Sequence, residues 1–417
     1  MTFSSLGLCE PLVRAVADLG YDAPTPVQRA AIPAVLRGQD VWSSAQTGSG
    51  KTAAFLLPLL HRLSAIAPRS PRPVRALVLV PTRELAAQVL EAVGQYGRHL
   101  PRALKSVLAV GGVSANPQML ALRGGADLVV ATPGRALDLA EQNALRLGAV
   151  EMLVLDEADR LLSLGFSEEL DRVLALLPAR RQNLLFSATF PPGVQGLAAG
   201  LLHEPARITV EASEAAPPPD IQQRALVVDT DKRTMLLRHL LDTHPWSHAL
   251  VFVASRYGAD HVALKLQRAG FAALALHGEL SQGARTQALE DFKARRVRVL
   301  VATDVAARGL DIASLPVVVN YDLPRSPTDY LHRIGRTGRA GEPGTALSFV
   351  TADTEAHFRV IEKRHGLRLE RERLPGFEPT EVAAPVLDPR GGVKGKRKSK
   401  KDKLREAAAA KGPARKP

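Results

Sequence analysis

Short apolar runs recur along this chain, and longer segments with helical periodicity separate them. RALVLVPT, MLVLDEAD and NLLFSAT are examples from the first half. A run that is apolar at consecutive positions suits a strand whose two faces are both buried, as in a parallel sheet. The intervening segments, such as RELAAQVLEAVGQYG, have the length and apolar spacing of helices that cross over such a sheet. The pattern therefore predicts an α/β fold built from βαβ units.

One proline-rich segment interrupts this pattern. EASEAAPPPD, at 211–220, has the composition of a semi-rigid linker. The pattern then restarts with runs such as HALVFVAS and RVLVATD. We therefore predict two doubly wound parallel-sheet domains, at 1–210 and 221–375, joined by the linker. A cleft between two such domains is a common place for a ligand to bind.

Positive charge is concentrated at the C-terminal end of the chain. The formal net charge is +13, and the segment from Arg390 to Pro417 contains 12 Lys/Arg against 2 Asp/Glu. This segment has no apolar periodicity, so we predict a disordered basic tail at 376–417. Two interpretations of the tail remain open. It is either a solubilising end or a flexible arm that is attracted to the phosphates of nucleic acid.

The cysteine content and the apolar segments bear on the compartment. Cys9 is the only cysteine, so no intrachain disulfide can form and a reducing compartment is expected. The first residues have no basic stretch ahead of an apolar run, as a signal peptide would have. No uncharged apolar stretch reaches the roughly 18 residues that indicate a membrane span. These features predict a cytoplasmic protein that does not enter a membrane.

The stretch AQTGSGKT, Ala45–Thr52, differs by one residue from the phosphate-binding pattern GxxxxGK[ST], because alanine takes the first glycine position. It follows the strand-like VWSS and precedes the helix-like AAFLLPLLHRL, which is the context that the pattern requires. Alanine is tolerable at position 45 when its φ is negative. Lys51 is predicted to reach the β- and γ-phosphates of a nucleotide, and the Thr52 hydroxyl to ligate Mg²⁺. The predicted nucleotide-binding residues of the loop are Ala45, Gln46, Thr47, Gly48, Ser49, Gly50, Lys51 and Thr52.

Acidic residues follow the strand-like run MLVL. Asp156 and Glu157 come first, at the carboxyl end of the predicted strand, where ligands of α/β proteins bind. Asp156 is a predicted Mg²⁺ ligand through water, and Glu157 is predicted to position and activate the attacking water. The alternative is an ordinary acidic helix start, which the helix dipole favours. A phosphate loop in the same predicted sheet favours the catalytic interpretation.

These motifs together resemble those of the DEAD-box RNA helicases of superfamily 2. HGELSQGARTQALEDFK and the short basic tail resemble the bacterial RhlE type within that family. The family also has alanine at the position of Ala45. The resemblance implies two RecA-like domains, ATP and Mg²⁺ as cofactors, and RNA-stimulated ATP hydrolysis. Besides AQTGSGKT and DEAD, the matching motifs are GYDAPTPVQ (20–28), PTRELAAQ (81–88), GG (111–112), TPGR (132–135), SAT (187–189), VFVAS (251–255), ATDVAARGLD (302–311) and HRIGRTGR (332–339).

The resemblance assigns roles to further residues around the nucleotide. Gln28 is implied to bind N6 and N7 of adenine, which selects ATP over GTP. Tyr21 is implied to pack near the base, with a core tyrosine as the alternative. Asp311 is implied to contact the ribose from the second domain. Arg336 and Arg339 are implied to reach the γ-phosphate when the domains close, which completes a predicted catalytic set with Lys51, Asp156 and Glu157.

A second group of motif residues is predicted to bind the RNA backbone. Thr82 and Thr132 each follow a strand and precede a helix, as N-cap residues do, and Arg83 and Arg135 add positive charge. Contacts to the backbone give no sequence readout. Aromatic residues are 4% of the chain, so stacking platforms for single strands are not expected. The predicted RNA-binding residues are Pro81, Thr82, Arg83, Gly112, Thr132, Arg135, Thr303, Asp304 and Arg308, with Gly283 and Arg285 as further candidates.

Ser187 and Thr189 match the motif that couples the ATP site to strand separation, although a polar strand end is their alternative. The predicted function is an ATP-dependent RNA helicase that locally separates short RNA duplexes or remodels RNA–protein complexes. An RNA clamp or assembly scaffold and a DNA-directed helicase are the rival interpretations. The predicted partners are single-stranded and duplex RNA and either ribosomal or RNA-decay assemblies, between which the sequence does not choose.

Overall fold

The computed structural model describes residues 2–45, 49–209, 221–307, 315–338 and 343–381. We call the described residues up to 209 the first lobe and those from 221 onward the second lobe. Several predictions lie outside the described residues, namely those for Gln46, Thr47, Gly48, Arg308, Asp311 and Arg339, for the linker at 211–220 and for the tail from 382 onward.

The first lobe is built on a sheet of seven parallel strands in the order β3-β4-β2-β5-β6-β1-β7. Its strands are β1 (Val41–Ser44), β2 (Ala76–Leu79), β3 (Ser106–Ala109), β4 (Leu128–Ala131), β5 (Met152–Leu155), β6 (Gln182–Ser187) and β7 (Ala206–Thr209). A 3₁₀ helix at Phe3–Leu6 precedes the helices α1 (Glu10–Asp18), α2 (Pro26–Leu36), α3 (Lys51–Ser64), α4 (Arg83–Gly97), α5 (Asn116–Leu122), α6 (Pro133–Glu141), α7 (Ala158–Ser163), α8 (Ser167–Ala175) and α9 (Pro192–Leu201).

Helices cover both faces of this sheet, as the consecutive apolar residues of its strands predict. In β2, Ala76 and Val78 pack into a core with α2, α3 and α4. Leu77 and Leu79 point the other way and pack into a second core with α6, α8 and α9. All four side chains are fully buried. The alternating directions along one strand thus explain why its sequence is apolar at every position.

The second lobe repeats the same architecture. Its seven parallel strands have the order β10-β11-β9-β12-β13-β8-β14, which is the order of the first sheet. The strands are β8 (Ile221–Val227), β9 (Ala249–Val253), β10 (Ala273–Leu276), β11 (Val299–Thr303), β12 (Val317–Asn320), β13 (Gly344–Val350) and β14 (Arg371–Glu372). The helices are α10 (Arg233–Thr243), α11 (Arg256–Arg268), α12 (Gln282–Lys293), α13 (Asp304–Ala307), α14 (Pro327–Ile334) and α15 (Glu355–His365). The prediction of two tandem doubly wound domains is confirmed.

Contacts of the second lobe continue past residue 375. Phe377 packs against its core. The carboxylate of Asp229, just after β8, accepts hydrogen bonds from the backbone N–H groups of Thr380 and Glu381 at 2.8 and 2.9 Å. Residues 376–381, which the composition placed in the basic tail, therefore contact the folded lobe.

None of the helices in the described ranges combines the length and the apolarity that a membrane span requires.

Candidate ATP and RNA site

The phosphate loop joins β1 to α3 at the carboxyl edge of the first sheet. Ala45 is buried and its N–H donates to the Ser187 carbonyl at 3.1 Å. It is not among the four non-glycine residues with positive φ in the described ranges, so alanine is accommodated there without strain. Gly50, by contrast, has a φ of 90°, and a Cβ on it would lie 2.4 Å from the Gln28 amide nitrogen. The backbone conformation therefore requires the glycine before Lys51, and the missing side chain lets the Gln28 amide come close.

Lys51 is a buried cation at the start of α3. Its side chain is 7% exposed, and its ammonium has no hydrogen-bond partner among the residues that the structure describes. A buried charge without a partner is strongly unfavourable. The arrangement indicates a site for an anion, and Lys51 lines the cavity in which Thr52, Asp156 and Glu157 also lie.

The two acidic residues follow β5, as predicted. Asp156 is 3% exposed, and burial raises the pKa of its carboxyl to about 6, against the opposing charge of Lys51. Glu157 has a φ of 52°, which is uncommon for a residue other than glycine. This turn lets its N–H donate to Asp156 at 2.9 Å, while its carboxylate accepts from Arg160 at 2.7 Å. The strained backbone therefore fixes both carboxylates at the strand end.

Magnesium fits the donors that the phosphate loop and β5 provide. The Thr52 hydroxyl and the Asp156 carboxylate are oxygen donors that line the same cavity. No group of three or more His, Cys, Asp or Glu side chains in the described part of the chain could hold a metal by itself. Mg²⁺ is usually bound by one or two protein carboxylates together with substrate phosphates and water. The site thus suits an ion that arrives with a nucleoside triphosphate.

Gln28 and Tyr21 line the same cavity as the acidic pair. The Gln28 side chain accepts from the Thr25 N–H at 2.9 Å and donates to the Gly50 carbonyl at 3.1 Å. Because an amide has two lone pairs and two N–H groups, one of each is left for a base. Tyr21 is 40% exposed, so the alternative of a core tyrosine does not apply. Its hydroxyl lies 3.4 Å from that of Tyr96 on α4.

The second lobe contributes to this cavity. The cavity has a volume of about 720 Å³. Arg336 from the second lobe lines it together with Lys51, Asp156 and Glu157 from the first lobe. Arg336 follows α14 and is 7% exposed. The predicted finger residue thus lies among the predicted phosphate-binding residues.

Two contacts between the lobes were not predicted. Glu84 in α4 forms an ion pair with Arg285 in α12, with 2.6 Å between Oε1 and Nη2 and both side chains buried. Arg160 in α7 donates from Nε to His332 in α14 at 3.2 Å. Burial and the charge of Arg160 lower the pKa of His332 to about 4, so the ring is neutral near pH 7. The cavity therefore lies between lobes that are in direct contact.

Ser187 and Thr189 are tied to the acidic motif through Asp159. The Asp159 carboxylate accepts from the N–H and the hydroxyl of Thr189 at 3.1 and 2.7 Å. The Asp159 N–H donates to the Ser187 hydroxyl at 3.2 Å. The sequence indicated Ser187 and Thr189 but not Asp159, whose only signal was its place as the last residue of the DEAD motif.

On the predicted RNA side of the first lobe, α4 begins at Arg83. Thr82 caps this helix, since its hydroxyl accepts from the Leu85 N–H at 3.2 Å. Pro81 precedes it and is buried. A Cβ on Gly112 would lie 2.5 Å from the Arg83 guanidinium, so the glycine is what lets this arginine lie against the backbone of the next loop.

Thr132 and Arg135 contact the loop that follows β3. Thr132 precedes α6, but its side chain makes no capping hydrogen bond, and its hydroxyl instead accepts from the Gly111 N–H at 3.3 Å. Arg135 is 9% exposed and donates to the Val113 carbonyl at 2.7 Å. Both residues thus hold the loop after β3 in place, and the capping hydrogen bond expected of Thr132 is absent.

In the second lobe, Thr303 ends β11 and Asp304 begins α13. The Asp304 carboxylate accepts two hydrogen bonds from Arg333, at 2.6 and 2.7 Å. Arg333 also donates to Asn320 and packs over the Phe252 ring. Asp304 is thus engaged in positioning a buried arginine that the sequence did not single out.

Comparisons with known proteins agree with the motifs. Residues 25–197 match the family model of DEAD/DEAH box helicases, and residues 231–341 match that of the helicase conserved C-terminal domain. The DEAD-box ATP-dependent RNA helicase CshA of Bacillus cereus (strain ATCC 10987) is 41% identical over 90% of this chain and 70% of that protein. The ATP-dependent RNA helicase DeaD of Mycobacterium tuberculosis (strain CDC 1551) is 42% identical over 90% of this chain, which spans 66% of that protein, just under two thirds of its length.

A solved structure matches both lobes at once. S. cerevisiae Dbp5 bound to RNA and ADP BeF3 is 32% identical, with a TM-score of 0.80 over 89% of this chain and 95% of that chain. Since one superposition covers both lobes, the lobes have a similar arrangement in the two structures. Sequence, fold and site thus agree, and the chain belongs to the DEAD-box family of ATP-dependent RNA helicases.

Proposed function

We propose that this protein binds ATP and RNA together, hydrolyses ATP to ADP and phosphate when RNA is bound, and locally separates short RNA duplexes or remodels RNA–protein complexes. The observation that carries the proposal is the cavity between the lobes. It brings Arg336 to the same space as Lys51, Asp156 and Glu157. A hydrolytic site that needs both lobes is complete only when they are closed.

The residues of the first lobe bind and orient ATP. Lys51 supplies the positive charge for the β- and γ-phosphates, and Gln28 offers one acceptor and one donor to adenine. The Thr52 hydroxyl and the Asp156 carboxylate would hold Mg²⁺ that arrives with ATP, and the ion would supply positive charge to the phosphates. Glu157 holds the attacking water and takes its proton. Arg336, and Arg339 beyond the described residues, stabilise the charge that develops on the γ-phosphate.

RNA binds at the carboxyl edges of both sheets, away from the base. Arg83 and the N-terminus of α4 provide positive charge and free N–H groups in the first lobe. Thr303 lies on the second lobe, with Arg308 as a further predicted contact, whereas Arg285 is taken up by its buried ion pair with Glu84. Because ATP and RNA each need both lobes, each favours the closed form and they bind cooperatively. Release of phosphate removes the group that Arg336 holds, and the lobes separate.

Finer assignments form part of the same proposal. The RhlE type is supported by HGELSQGARTQALEDFK. A cytoplasmic location is supported by the single cysteine. Ribosomal or RNA-decay assemblies are the proposed settings, and the basic tail is the proposed arm for nucleic acid.

An RNA clamp is the second candidate function. It is favoured by the buried Glu84–Arg285 pair, which would hold the lobes closed. Measurement of strand separation alongside the ATPase rate distinguishes a clamp from a helicase.

Two substitutions test the site. Lys51→Ala is expected to lower RNA-stimulated ATP hydrolysis by about 10²–10³-fold, because a preorganised charge on the phosphates is lost. Glu157→Gln is expected to lower it by about 10²–10⁴-fold, because the general base is lost. Phosphate release with and without RNA is the measurement. ATP binding should weaken in the lysine variant but persist in the glutamine variant, and full activity in either one refutes the assignment.

A further inference from the structure

Tyr257 is the most exposed large hydrophobic side chain in the part of the chain that the structure describes. It is 75% exposed in the first turn of α11. Its ring stacks on His261, one turn further along, with 5.4 Å between centroids and 16° between planes. The buried face of α11 is formed by other residues, Ala259, Val262, Ala263 and Leu266. The two rings are thus a planar surface that the core does not use.

This pair of rings is connected to a predicted RNA-binding residue of the first lobe through neighbouring residues and two ion pairs. Tyr257 follows Arg256, which forms an ion pair with Glu279 in the loop after β10. That loop leads into α12, whose Arg285 pairs with Glu84 of the first lobe. The next residue before Glu84 is Arg83, a predicted RNA contact. Two ion pairs and short stretches of chain at the carboxyl edges of both sheets therefore link the first lobe to Tyr257.

The charges around the rings suit an anionic ligand. Lys265 and Arg268 are exposed on α11. The two nearby carboxylates are both engaged, since Glu279 pairs with Arg256 and Asp260 accepts from His277 at 3.0 Å. An exposed aromatic surface among cations matches the groups that bind single-stranded nucleic acid, namely base-stacking rings and positive charge along the backbone.

We propose that Tyr257 and His261 form a stacking platform for one base of single-stranded RNA, where the strand leaves the second lobe. This inference rests on the proposed RNA-binding function and adds a base contact to the backbone contacts. Stacking tolerates any base because every base has a π-face. The platform therefore strengthens RNA binding without selecting a sequence. Such a platform is contrary to the expectation that was drawn from the low aromatic content of the chain.

The test is equilibrium binding of a fluorescent single-stranded oligoribonucleotide, long enough to cross both lobes, to the full chain with ADP BeF3. Tyr257→Ala and Tyr257→Leu are expected to raise the Kd by about 5-fold or more, since stacking on one aromatic contributes roughly 1–3 kcal/mol. Tyr257→Phe keeps the ring and should bind like the wild type. Met235→Ala, an equally apolar and 60% exposed position on α10, is the matched control and should show no change.

An oligomer of the same length with abasic sites throughout separates stacking from other contacts. The wild type and Tyr257→Ala are expected to bind it equally. Equal Kd values for wild type and Tyr257→Ala on intact RNA overturn the inference. A difference in Kd between these two proteins that persists on the abasic strand also overturns it. So does an increase in Kd for Tyr257→Phe as large as that for Tyr257→Ala. If the wild type does not bind RNA at all, the proposed function itself is contradicted. If the wild type binds RNA tightly and Tyr257→Ala leaves the Kd unchanged, the platform alone is contradicted.

Discussion

Replacement of Arg336 by alanine is expected to lower kcat for RNA-stimulated ATP hydrolysis by about 10³–10⁵-fold, the contribution of an arginine finger in phosphoryl transfer. Arg336 comes from the second lobe and lines the cavity with Lys51, Asp156 and Glu157. Its guanidinium acts on charge that develops in the transition state, so the KM for ATP should change little. Steady-state phosphate release at saturating RNA measures the effect.

Arg336→Lys refines this prediction. A lysine keeps the charge but loses the planar fork, so we expect activity between that of the wild type and that of the alanine variant. Arg238→Ala, on an exposed position of α10, is the control and should keep full activity. A kcat for Arg336→Ala within a factor of about ten of the wild type would place the finger elsewhere.

Reversal of either charge in the Glu84–Arg285 pair is expected to remove most of the coupling between ATP and RNA binding. The pair is buried and joins the lobes, so Glu84→Arg or Arg285→Glu puts two like charges together only when the lobes close. Loss of one partner of a buried pair costs about 3–5 kcal/mol. Coupling between two linked sites is typically about 5–150-fold, which that cost exceeds. The ratio of the ATP Kd values without and with RNA is the measurement.

The double variant Glu84→Arg with Arg285→Glu restores opposite charges and should recover much of the coupling. Glu141→Arg is the control, because Glu141 and Arg172 form an exposed ion pair within the first lobe that contributes little. Single variants that couple ATP and RNA as the wild type does would show that the pair is not part of closure.

The fold was predictable because each lobe repeats one strong local pattern. The central strands are apolar at consecutive positions, as in Leu77–Leu79, and a sheet covered on both faces buries such short runs completely. Two of the four edge strands, β7 and β14, were missed. β7 has the burial pattern of a half-exposed strand, and β14 is only the pair Arg371–Glu372, so neither has an apolar run to detect.

The site was predictable where a residue acts through its own chemistry. Lys51, Asp156 and Glu157 lie together because the carboxyl ends of parallel strands in one sheet, here β1 and β5 on either side of β6, meet at one edge. What the sequence does not contain is the pairing between distant residues. The contacts of Asp304 with Arg333 and of Glu84 with Arg285 span sequence separations that no local pattern reports, and the exposure of Tyr257 depends on which face of α11 the core takes.

The most direct test of the account is a distance measurement between the lobes in solution. Donor and acceptor fluorophores at Leu120→Cys and Val360→Cys, both exposed positions, with Cys9→Ser to remove the native thiol, report the separation by energy transfer. We predict that the transfer efficiency shifts to a single new value only when ADP BeF3 and single-stranded RNA are both present, and that Arg285→Glu abolishes the shift. An efficiency that is the same with and without the two ligands would contradict closure of the lobes around ATP and RNA.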